Sequence, residues 1–129
     1  MPEQKWGFSE LFELFSIRET ISFVICLDAK PIGFALLRIL ADEGEIITFC
    51  ILPKWCNNGY GKILLERIVD ILKKRSIKKL FLEVRENNKV AIKLYNNCSF
   101  KVIGRRKKYY KNNQVEKIDA LVMQYQFIK

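Results

Sequence analysis

The sequence predicts a mixed α/β fold in which a central sheet of about six strands or fewer packs against helices. Three observations lead to this prediction. Strand-like stretches joined by tight turns occupy residues 21–52, a strand–helix–strand unit occupies residues 45–85, and a hairpin-like pair of strands occupies residues 100–127. Half of the 129 residues are hydrophobic and 29% are charged, which is typical of a globular protein, so we expect residues 1–129 to form a single domain.

A short helix is predicted near the start of the chain. Ser9 is a suitable N-cap for residues 10–15, because its hydroxyl can accept a hydrogen bond from a free backbone N–H group of the first turn. Leu11, Phe12 and Phe15 lie on one side of this helix. We therefore expect the helix to pack on a hydrophobic core.

Three strands are predicted to follow. Residues 21–27 and 32–40 are rich in β-branched and aromatic side chains, and residues 28–31 between them form a turn. Residues 41–44 form a second turn, which leads into a third strand at residues 45–52. Strands joined by such short turns pair antiparallel, so we expect an antiparallel meander.

A turn with two glycines separates the third strand from a long helix. Gly59 and Gly61 follow Pro53, and apolar residues then recur with helical spacing until about residue 75, at positions 60, 64, 68, 71 and 72. Glycines leave the backbone N–H groups uncovered, and the positive end of the helix dipole lies behind them. The turn carries no acidic residue, and Lys54 and Lys62 flank it. It therefore has the features of a phosphate-binding site.

The glycine turn also has a simpler interpretation. Two glycines separated by one residue often do no more than permit a sharp connection between a strand and a helix. The turn lacks the third glycine and the downstream acidic residue of a dinucleotide-binding fingerprint, so a Rossmann-type site is not expected.

A second strand–helix pair and a hairpin complete the predicted elements. Residues 79–85 predict a strand that closes a βαβ unit and so runs parallel to the third strand. Asn88 can cap the next helix, in which apolar residues at 90 or 91, 94 and 95 keep helical spacing. The hairpin comprises one strand with a basic middle at residues 100–103 and 108–110, a turn at residues 111–114 and a last strand at residues 118–127.

The charge and the cysteine usage narrow the functional classes. A formal net charge of +9 indicates an anionic partner, which can be a phosphorylated cofactor, an acidic substrate or nucleic acid. The four cysteines lack C-x-x-C spacing and the chain has no histidine, so no metal site is predicted. Any general base must then be a carboxylate, a lysine with a lowered pKa, a thiolate or a water chain. No apolar run can cross a membrane and no signal peptide is evident, so we expect a cytoplasmic protein with free thiols and no membrane partner.

A set of motifs runs through the second half of the chain. It comprises Gly59-x-Gly61, Leu82-Glu83-Val84-Arg85-x-x-Asn88-x-x-Ala91-Ile92-x-Leu94-Tyr95, Phe100, Gly104-Arg105-Arg106 and Tyr109-Tyr110. These motifs resemble those of the GNAT acetyltransferase family, and in particular its ribosomal-protein-alanine N-acetyltransferase (RimI-like) branch, over about residues 46–123. The resemblance implies a GNAT acyl-CoA N-acyltransferase fold with acetyl-CoA as the acyl donor. It also implies that the pyrophosphate of the coenzyme lies on the glycine turn and its thioester arm between two diverging parallel strands.

The resemblance further implies roles for individual residues. Glu83 would be the general base and Tyr95 the general acid. Asn88 would contact the arm of the coenzyme. The other implied coenzyme contacts are Phe49, Cys50 and Ile51 on the third strand, and Asn57, Asn58, Gly59, Tyr60, Gly61 and Lys62 on the glycine turn.

The same residues have structural interpretations. Glu83 lies two residues from Arg85 on one face of the strand, where the two side chains could form an ion pair. Tyr95 could be an aromatic residue packed between helix and sheet, and Asn88 can cap its helix whether or not it contacts a ligand. Ile51 is expected to contribute only its backbone N–H, which would face the acyl carbonyl oxygen if the strand were bulged there.

The chain departs from the family pattern in three places. Cys56 and Asn57 stand where relatives have Gln or Arg and then Gly, from which we expect weaker coenzyme binding. Ser99 replaces a glycine in a turn that favours a positive φ. The chain also starts without the strand and helix that relatives carry before the Trp6 region, so we expect part of the acceptor-binding wall to be absent.

The resemblance thus implies an N-acetyltransferase that acts on the N-terminal α-amine of a ribosomal protein, of the alanine type. Several alternatives stay open. The acceptor could be a lysine side chain or a small-molecule amine, or the chain could be an inactive descendant of such an enzyme. It could also be a non-catalytic RNA- or ribosome-binding module, because Tyr109 and Tyr110 are interleaved with basic residues. These basic residues are Lys101, Arg105, Arg106, Lys107, Lys108 and Lys111.

Overall fold

The structure is a computed structural model that describes residues 18–107 and 118–127. Within these residues it contains six strands and two helices. In chain order they are β1 (Arg18–Leu27), β2 (Lys30–Leu40), β3 (Glu43–Ile51), α1 (Tyr60–Lys74), β4 (Lys79–Arg85), α2 (Lys89–Asn97), β5 (Lys101–Arg106) and β6 (Ala120–Gln126), with a 3-10 turn at Pro53–Trp55 before α1. The predicted helix at residues 10–15, the strand segment 108–110 and the turn 111–114 lie outside the described residues.

The six strands of the described residues form one sheet in the order β1-β2-β3-β4-β6-β5. β1, β2 and β3 pair antiparallel, β3 and β4 pair parallel, and β6 pairs antiparallel with both β4 and β5. The predicted meander, the parallel βαβ unit and the C-terminal hairpin are therefore confirmed, and so is the mixed α/β class.

The hydrophobic core lies between one face of the sheet and the two helices. The contribution of α1 follows the predicted helical spacing, but its apolar face is wider than the predicted stripe. Leu65, which the stripe omits, is completely buried, whereas Tyr60 and Ile71, which the stripe includes, are only partly buried. The buried residues of α1 are Leu64, Leu65, Ile68 and Leu72.

The side chains of β4 alternate between the two faces of the sheet, as predicted. Leu80, Leu82 and Val84 are buried on the face that α1 and α2 cover. Glu83 and Arg85 are exposed on the opposite face. The alternation therefore fixes the direction in which the candidate base points.

β3 and β4 diverge after a short paired segment. Their parallel pairing covers four residue pairs, the last of which joins Ile46 to Leu82. β3 nevertheless continues to Ile51, and β4 continues to Arg85. Beyond Ile46, the facing edges of the two strands are thus free of each other.

A β-bulge accompanies this divergence. The register between β2 and β3 shifts between Leu36 and Leu37, which pair with Thr48 and Ile46 and leave Ile47 as an extra residue in β3. A bulge bends its strand and increases the local twist. Its place directly after the last β3–β4 pair gives a physical reason for the separation of the two strands.

Candidate active site

A cleft of about 530 Å³ lies where β3 and β4 diverge. Its lining comes from these two strands, from the loop before α1 and from α2. Many of the residues assigned to the site from the sequence line this cleft: Phe49, Ile51, Asn57, Gly59, Gly61, Lys62, Glu83, Asn88 and Tyr95. The fold thus brings together residues from separate parts of the chain.

The glycine loop, residues 57–62, leads from the 3-10 turn into α1. Gly59 is the N-cap residue of α1 and has a left-handed backbone conformation with φ of 86°. Glycine adopts this conformation more readily than residues that carry a side chain. Within the part of the chain that the structure describes, none of the backbone N–H groups of residues 57–62 donates a hydrogen bond. The first turn of α1 also carries no acidic residue. The loop therefore presents free N–H groups at the positive end of a helix dipole.

Gly61 allows α1 to approach the cleft closely. A Cβ atom at this position would lie 3.2 Å from Cδ2 of Leu94 on α2 and 3.8 Å from the side chains of Ile51 and Phe49 on β3. These three residues line the cleft together with Gly61. A large side chain at position 61 would therefore occupy the cleft or displace its walls.

The register of β3 turns the N–H group of Ile51 toward the cleft. The N–H of Leu52 donates to the carbonyl oxygen of Ile32 at 2.9 Å, so the next pair, Gly33 with Ile51, is a non-hydrogen-bonded pair. The N–H of Ile51 consequently points away from β2, toward the space that β4 leaves. The bulge of β3 lies at Ile47 and not at Ile51, and the register alone turns this N–H toward the cleft.

Tyr95 belongs both to the core and to the cleft. Its side chain is 7% exposed, and its ring lies edge-on to Phe49 and tilted against Phe100, with ring centroids 6.0 and 5.9 Å apart. Burial raises the pKa of the Tyr95 phenol from 10.0 to about 12, because the phenolate would lose its hydration. Tyr95 therefore stays protonated near neutral pH, and its hydroxyl can donate a hydrogen bond to a group in the cleft.

Glu83 lines the cleft from the open side of β4, with 30% of its side chain exposed. Nη1 of Arg106 on β5 donates a hydrogen bond to Oε2 of Glu83 at 2.6 Å, which makes the two residues an ion pair. The spacing in the sequence suggested Arg85 as the ion-pair partner of Glu83. It did not indicate Arg106, because the contact between Glu83 and Arg106 depends on the order of the strands in the sheet.

Asn88 caps α2 and lies at the edge of the cleft. Its Oδ1 accepts a hydrogen bond from the backbone N–H of Ala91 at 3.2 Å, so it caps α2 as the sequence predicted. It also lines the cleft. Capping fixes the side chain at the edge of the cleft.

Three residues assigned to the coenzyme from the sequence do not line the cleft. Cys50 alternates with Phe49 and Ile51 along β3, so its side chain points to the other face of the strand. The ring of Tyr60 packs against Trp55, with centroids 6.2 Å apart. Asn58 is exposed at the tip of the glycine loop.

Several residues that line the cleft were given no role in the site from the sequence, and two of them precede the glycine loop. Trp55 and Cys56 come at the end of the 3-10 turn and line the cleft. Nζ of Lys54 lies 5.4 Å from the ring centroid of Trp55, and the thiol of Cys56 donates to the carbonyl oxygen of Ile51 at 3.4 Å. The glycine spacing predicts the loop but not this preceding turn.

Two further properties concern the described residues only. They contain no group of three or more His, Cys, Asp or Glu side chains that could hold a metal ion, and their cysteines, Cys26, Cys50, Cys56 and Cys98, are free thiols. None of their helices combines the length and the apolar character needed to cross a membrane.

An open mixed sheet whose central parallel strands diverge beside a loop of free N–H groups is the architecture of the acyl-CoA-dependent N-acyltransferases. The family model of the acetyltransferase (GNAT) family matches residues 1–100, and the chain belongs to this family. The chain is therefore an acetyltransferase, of a family whose acyl donor is acetyl-CoA. The predicted family and enzyme class are confirmed.

Relatives within the family are similar in sequence to this chain. The [ribosomal protein bS18]-alanine N-acetyltransferase of Escherichia coli strain K12 is 32% identical over 103 residues, which cover 80% of this chain and 69% of that protein. The enzyme of the same name from Haemophilus influenzae is 36% identical over 92 residues, which cover 71% of this chain and 62% of that protein. The matched segment thus spans about two thirds of the length of these relatives.

Solved structures share the fold. The crystal structure of the ribosomal-protein-S18-alanine N-acetyltransferase from Escherichia coli has a TM-score of 0.76 and 29% identity, and the match covers 95% of this chain and 79% of that one. A putative streptothricin acetyltransferase from Bacillus anthracis, solved in complex with acetyl coenzyme A, has a TM-score of 0.75 and 25% identity, with coverage of 84% and 62%.

Proposed function

We propose that this chain transfers an acetyl group from acetyl-CoA to the N-terminal α-amine of a ribosomal protein. The observation that carries the proposal is the cleft between β3 and β4, which combines the free N–H groups of the glycine loop with Glu83 and Tyr95 in one lining. A thioester held in this cleft would lie near an acceptor for the proton of the amine and a hydrogen-bond donor for the leaving sulfur.

The pyrophosphate of the coenzyme would bind to the glycine loop. The N–H groups of residues 57–62, the positive end of α1 and the ammonium group of Lys62 all favour an anion there. The thioester arm would extend between β3 and β4, whose pairing with each other ends at Ile46 and Leu82. Asn88 would lie beside this arm.

The reaction forms one C–N bond and breaks one C–S bond. A neutral amine attacks the carbonyl carbon of the thioester, and negative charge develops on the carbonyl oxygen, toward which the N–H of Ile51 would point. Glu83 would accept the proton that the amine loses, directly or through a water molecule. The sulfur leaves as the thiolate of coenzyme A, which Tyr95 would stabilise by a hydrogen bond until the thiolate takes up a proton.

The pKa of Tyr95 favours hydrogen bonding over complete proton transfer to the sulfur. A phenol with the ordinary pKa of about 10 could protonate a leaving thiolate, because the pKa of a thiol is about 8.5. In the folded protein the pKa of Tyr95 is about 12. A full transfer from this phenol to a thiolate is then uphill by about 5 kcal/mol, so the proposed role of Tyr95 is that of a donor that keeps its proton.

An α-amine suits a site whose base is a carboxylate. Its pKa is about 7.7–8.0, against about 10.4 for a lysine side chain, so a large fraction of the α-amine is neutral near pH 7.5 without assistance. The alanine of a ribosomal protein is proposed as the acceptor because the relatives from Escherichia coli and Haemophilus influenzae are named for that reaction. With a ribosomal protein as substrate, the reaction would take place in the cytoplasm, as the sequence predicted.

The acceptor is tested by incubating the protein with isotope-labelled acetyl-CoA and a peptide that begins with alanine and contains an internal lysine. We expect the label on the α-amine, located by fragmentation in a mass spectrometer. The matched control is the same peptide with its N-terminus already blocked, which should stay unlabelled. A label on the lysine, or transfer only to small amines, would contradict the proposed acceptor while leaving the acetyltransferase class intact.

The role of Glu83 is tested by Glu83→Gln, which keeps the shape of the side chain but removes its basicity. We expect turnover to fall by about 10²- to 10⁴-fold, the range that general-base catalysis supplies. The affinity for acetyl-CoA, measured by calorimetry, should stay unchanged because Glu83 takes no part in binding the pyrophosphate. Wild-type turnover in this variant would remove Glu83 from the mechanism.

The RNA-binding alternative loses part of its support in the folded protein. Arg105 pairs with Glu86 and Asp119, and Arg106 pairs with Glu83. Two cations of the basic run are thus partly neutralised by carboxylates of the same chain, whereas Lys108 and Lys111 lie outside the described residues. A steep salt dependence of RNA binding without acetyl-CoA affinity would favour this alternative over the proposal.

A further inference from the structure

We propose that Arg106 is a positioning residue that holds the carboxylate of Glu83 in the orientation needed to accept the proton of the amine. The inference rests on the proposed function, because Glu83 is the general base named there. It adds a residue of the outermost strand β5 to a site that is otherwise built from β3, β4, the glycine loop and α2.

Arg106 reaches Glu83 across the intervening strand β6. Glu83 pairs with Val122 on β6, and Val122 pairs with Gly104 on β5. Paired residues share a face of the sheet, and Arg106 lies two positions from Gly104 along β5, so Arg106 and Glu83 share that face. Because Gly104 has no side chain, the aliphatic part of Arg106 has room to lie over the sheet toward β4.

The exposure of the pair indicates a role in orientation rather than in stability. The side chains of Glu83 and Arg106 are 30% and 62% exposed, so solvent screens their attraction and the pair contributes little to folding. A charge-assisted hydrogen bond of 2.6 Å nevertheless restricts the direction of the carboxylate. What Arg106 changes is therefore the geometry of Glu83.

Glu83 benefits from such a restriction because it borders two spaces. It lines the cleft between β3 and β4, and it also lines a second cavity of about 330 Å³, together with Phe81 and Val122. A carboxylate that turned toward the second cavity would not face an amine at the thioester. Holding one orientation keeps the base within reach of the proton, and a displacement of about 1 Å already has a large effect on a catalytic group.

Arg105 provides a matched comparison on the same strand. It directly precedes Arg106 and has a similar exposure, 52% against 62%. Its guanidinium group pairs with Glu86 and, at 3.8 Å, with Asp119. Replacing Arg105 therefore removes one positive charge and the ion pairs with Glu86 and Asp119 but leaves the Glu83–Arg106 pair in place.

The test measures steady-state kinetics with acetyl-CoA and the alanine-initiated peptide. We expect Arg106→Gln to lower kcat by about 10- to 100-fold while the KM for acetyl-CoA stays within about twofold of wild type, because only the orientation of the base is lost. Arg106→Lys should recover part of this loss, since it keeps a cation that can contact Glu83. Arg105→Gln should leave kcat unchanged. Thermal melts of each variant establish that it is folded.

The double variant separates a positioning role from a structural one. If Arg106 acts through Glu83, Arg106→Gln should cause no further fall of kcat when Glu83 is already Gln. An equal fall in both backgrounds, or wild-type kcat in Arg106→Gln, would overturn the inference. Wild-type kcat in Glu83→Gln would instead overturn the general base of the proposed function and Arg106 with it, so the two failures are distinguishable.

Discussion

Tyr95 is part of the hydrophobic core on one side and of the cleft lining on the other. Toward the core, its ring packs between Phe49 and Phe100. Toward the cleft, Tyr95 belongs to the lining in which the thioester is proposed to lie. The same burial that makes the ring part of the core keeps the phenol protonated, so the packing role and the proposed catalytic role support each other.

Tyr95→Phe separates the two roles, because phenylalanine keeps the ring and removes the hydroxyl. We expect kcat to fall by about 10²- to 10³-fold, the usual effect of losing one hydrogen-bond donor to a developing charge. The melting temperature should change little, since the contacts with Phe49 and Phe100 are made by the ring. If the kinetics of the variant equal those of wild type, Tyr95 is a packing residue only.

The raised pKa of Tyr95 also predicts a dependence of stability on pH. The folded protein keeps the phenol protonated up to a pKa of about 12, whereas the unfolded chain releases this proton near the ordinary value of 10.0. The contribution of the protonated phenol to the unfolding free energy is therefore fully present below pH 10.0. It is lost between pH 10.0 and about 12, because the unfolded state then binds fewer protons than the folded state. It amounts to about 2–3 kcal/mol.

Denaturant unfolding of wild type and Tyr95→Phe at increasing alkaline pH measures this contribution. The unfolding free energy of wild type should fall relative to that of Tyr95→Phe as the pH rises through this range, because only wild type carries the phenol. Parallel curves would show that the phenol is not held protonated by the fold.

At the residue scale, the sequence predicts more of the cleft than of its surroundings. Glu83 and Tyr95 were assigned from the resemblance of their motif to the family, and strand alternation gives the direction of Glu83. Arg106 is visible only as one member of a basic run. Its contact with Glu83 depends on β6 lying between β4 and β5, and no local spacing expresses that arrangement.

Gly61, in the first turn of α1, leaves space in the cleft for the coenzyme. Gly61→Trp should abolish binding of acetyl-CoA, because an indole there would fill the space bordered by Leu94, Ile51 and Phe49. Calorimetric titration measures this loss. Ile63→Trp is the matched control, since Ile63 is 54% exposed on the same helix and should retain normal affinity. Normal affinity in Gly61→Trp would place the coenzyme elsewhere.

The end of α2 contains a residue with an unfavourable backbone conformation. Ser99 has φ of 72°, and the N–H of Phe100 donates to the carbonyl oxygen of Tyr95 at 2.9 Å, which closes the helix end. Ser99→Gly should raise the unfolding free energy by about 0.5–1 kcal/mol, because glycine adopts a positive φ without steric cost. Chemical denaturation measures the change.

The same substitution in a strand gives the control for Ser99→Gly. Ser22 is exposed on β1, where glycine has no conformational advantage and loses backbone entropy on folding. Ser22→Gly should therefore lower the unfolding free energy. A loss of stability at both positions would contradict the strain assigned to Ser99.

At the scale of the elements, the sequence predicts the type of each strand and helix and their order along the chain. It does not predict where β3 and β4 diverge. Alternation and turn residues mark the strands, and helical spacing marks α1 and α2. The bulge at Ile47 lies within an apolar run in which neither a glycine nor a proline marks it. The resemblance to the family implied diverging strands, but their point of separation required the structure.

At the scale of the whole molecule, one sheet joins the two halves of the site. β3, the last strand of the meander, supplies one wall of the cleft, and β4, which pairs with the β5–β6 hairpin, supplies another. The sequence predicts the meander, the parallel pair and the hairpin. It leaves open on which side of the hairpin β4 pairs, and this choice is what brings Arg106 to Glu83.

The central claim is that the cleft between β3 and β4 holds acetyl-CoA by free backbone donors of the glycine loop. A crystal structure of the protein with bound coenzyme A tests it most directly. We expect pyrophosphate oxygens within hydrogen-bond distance of the N–H groups of residues 57–62 and the thiol arm between β3 and β4 beyond Ile46. A coenzyme bound at another surface, with this cleft empty, would contradict it.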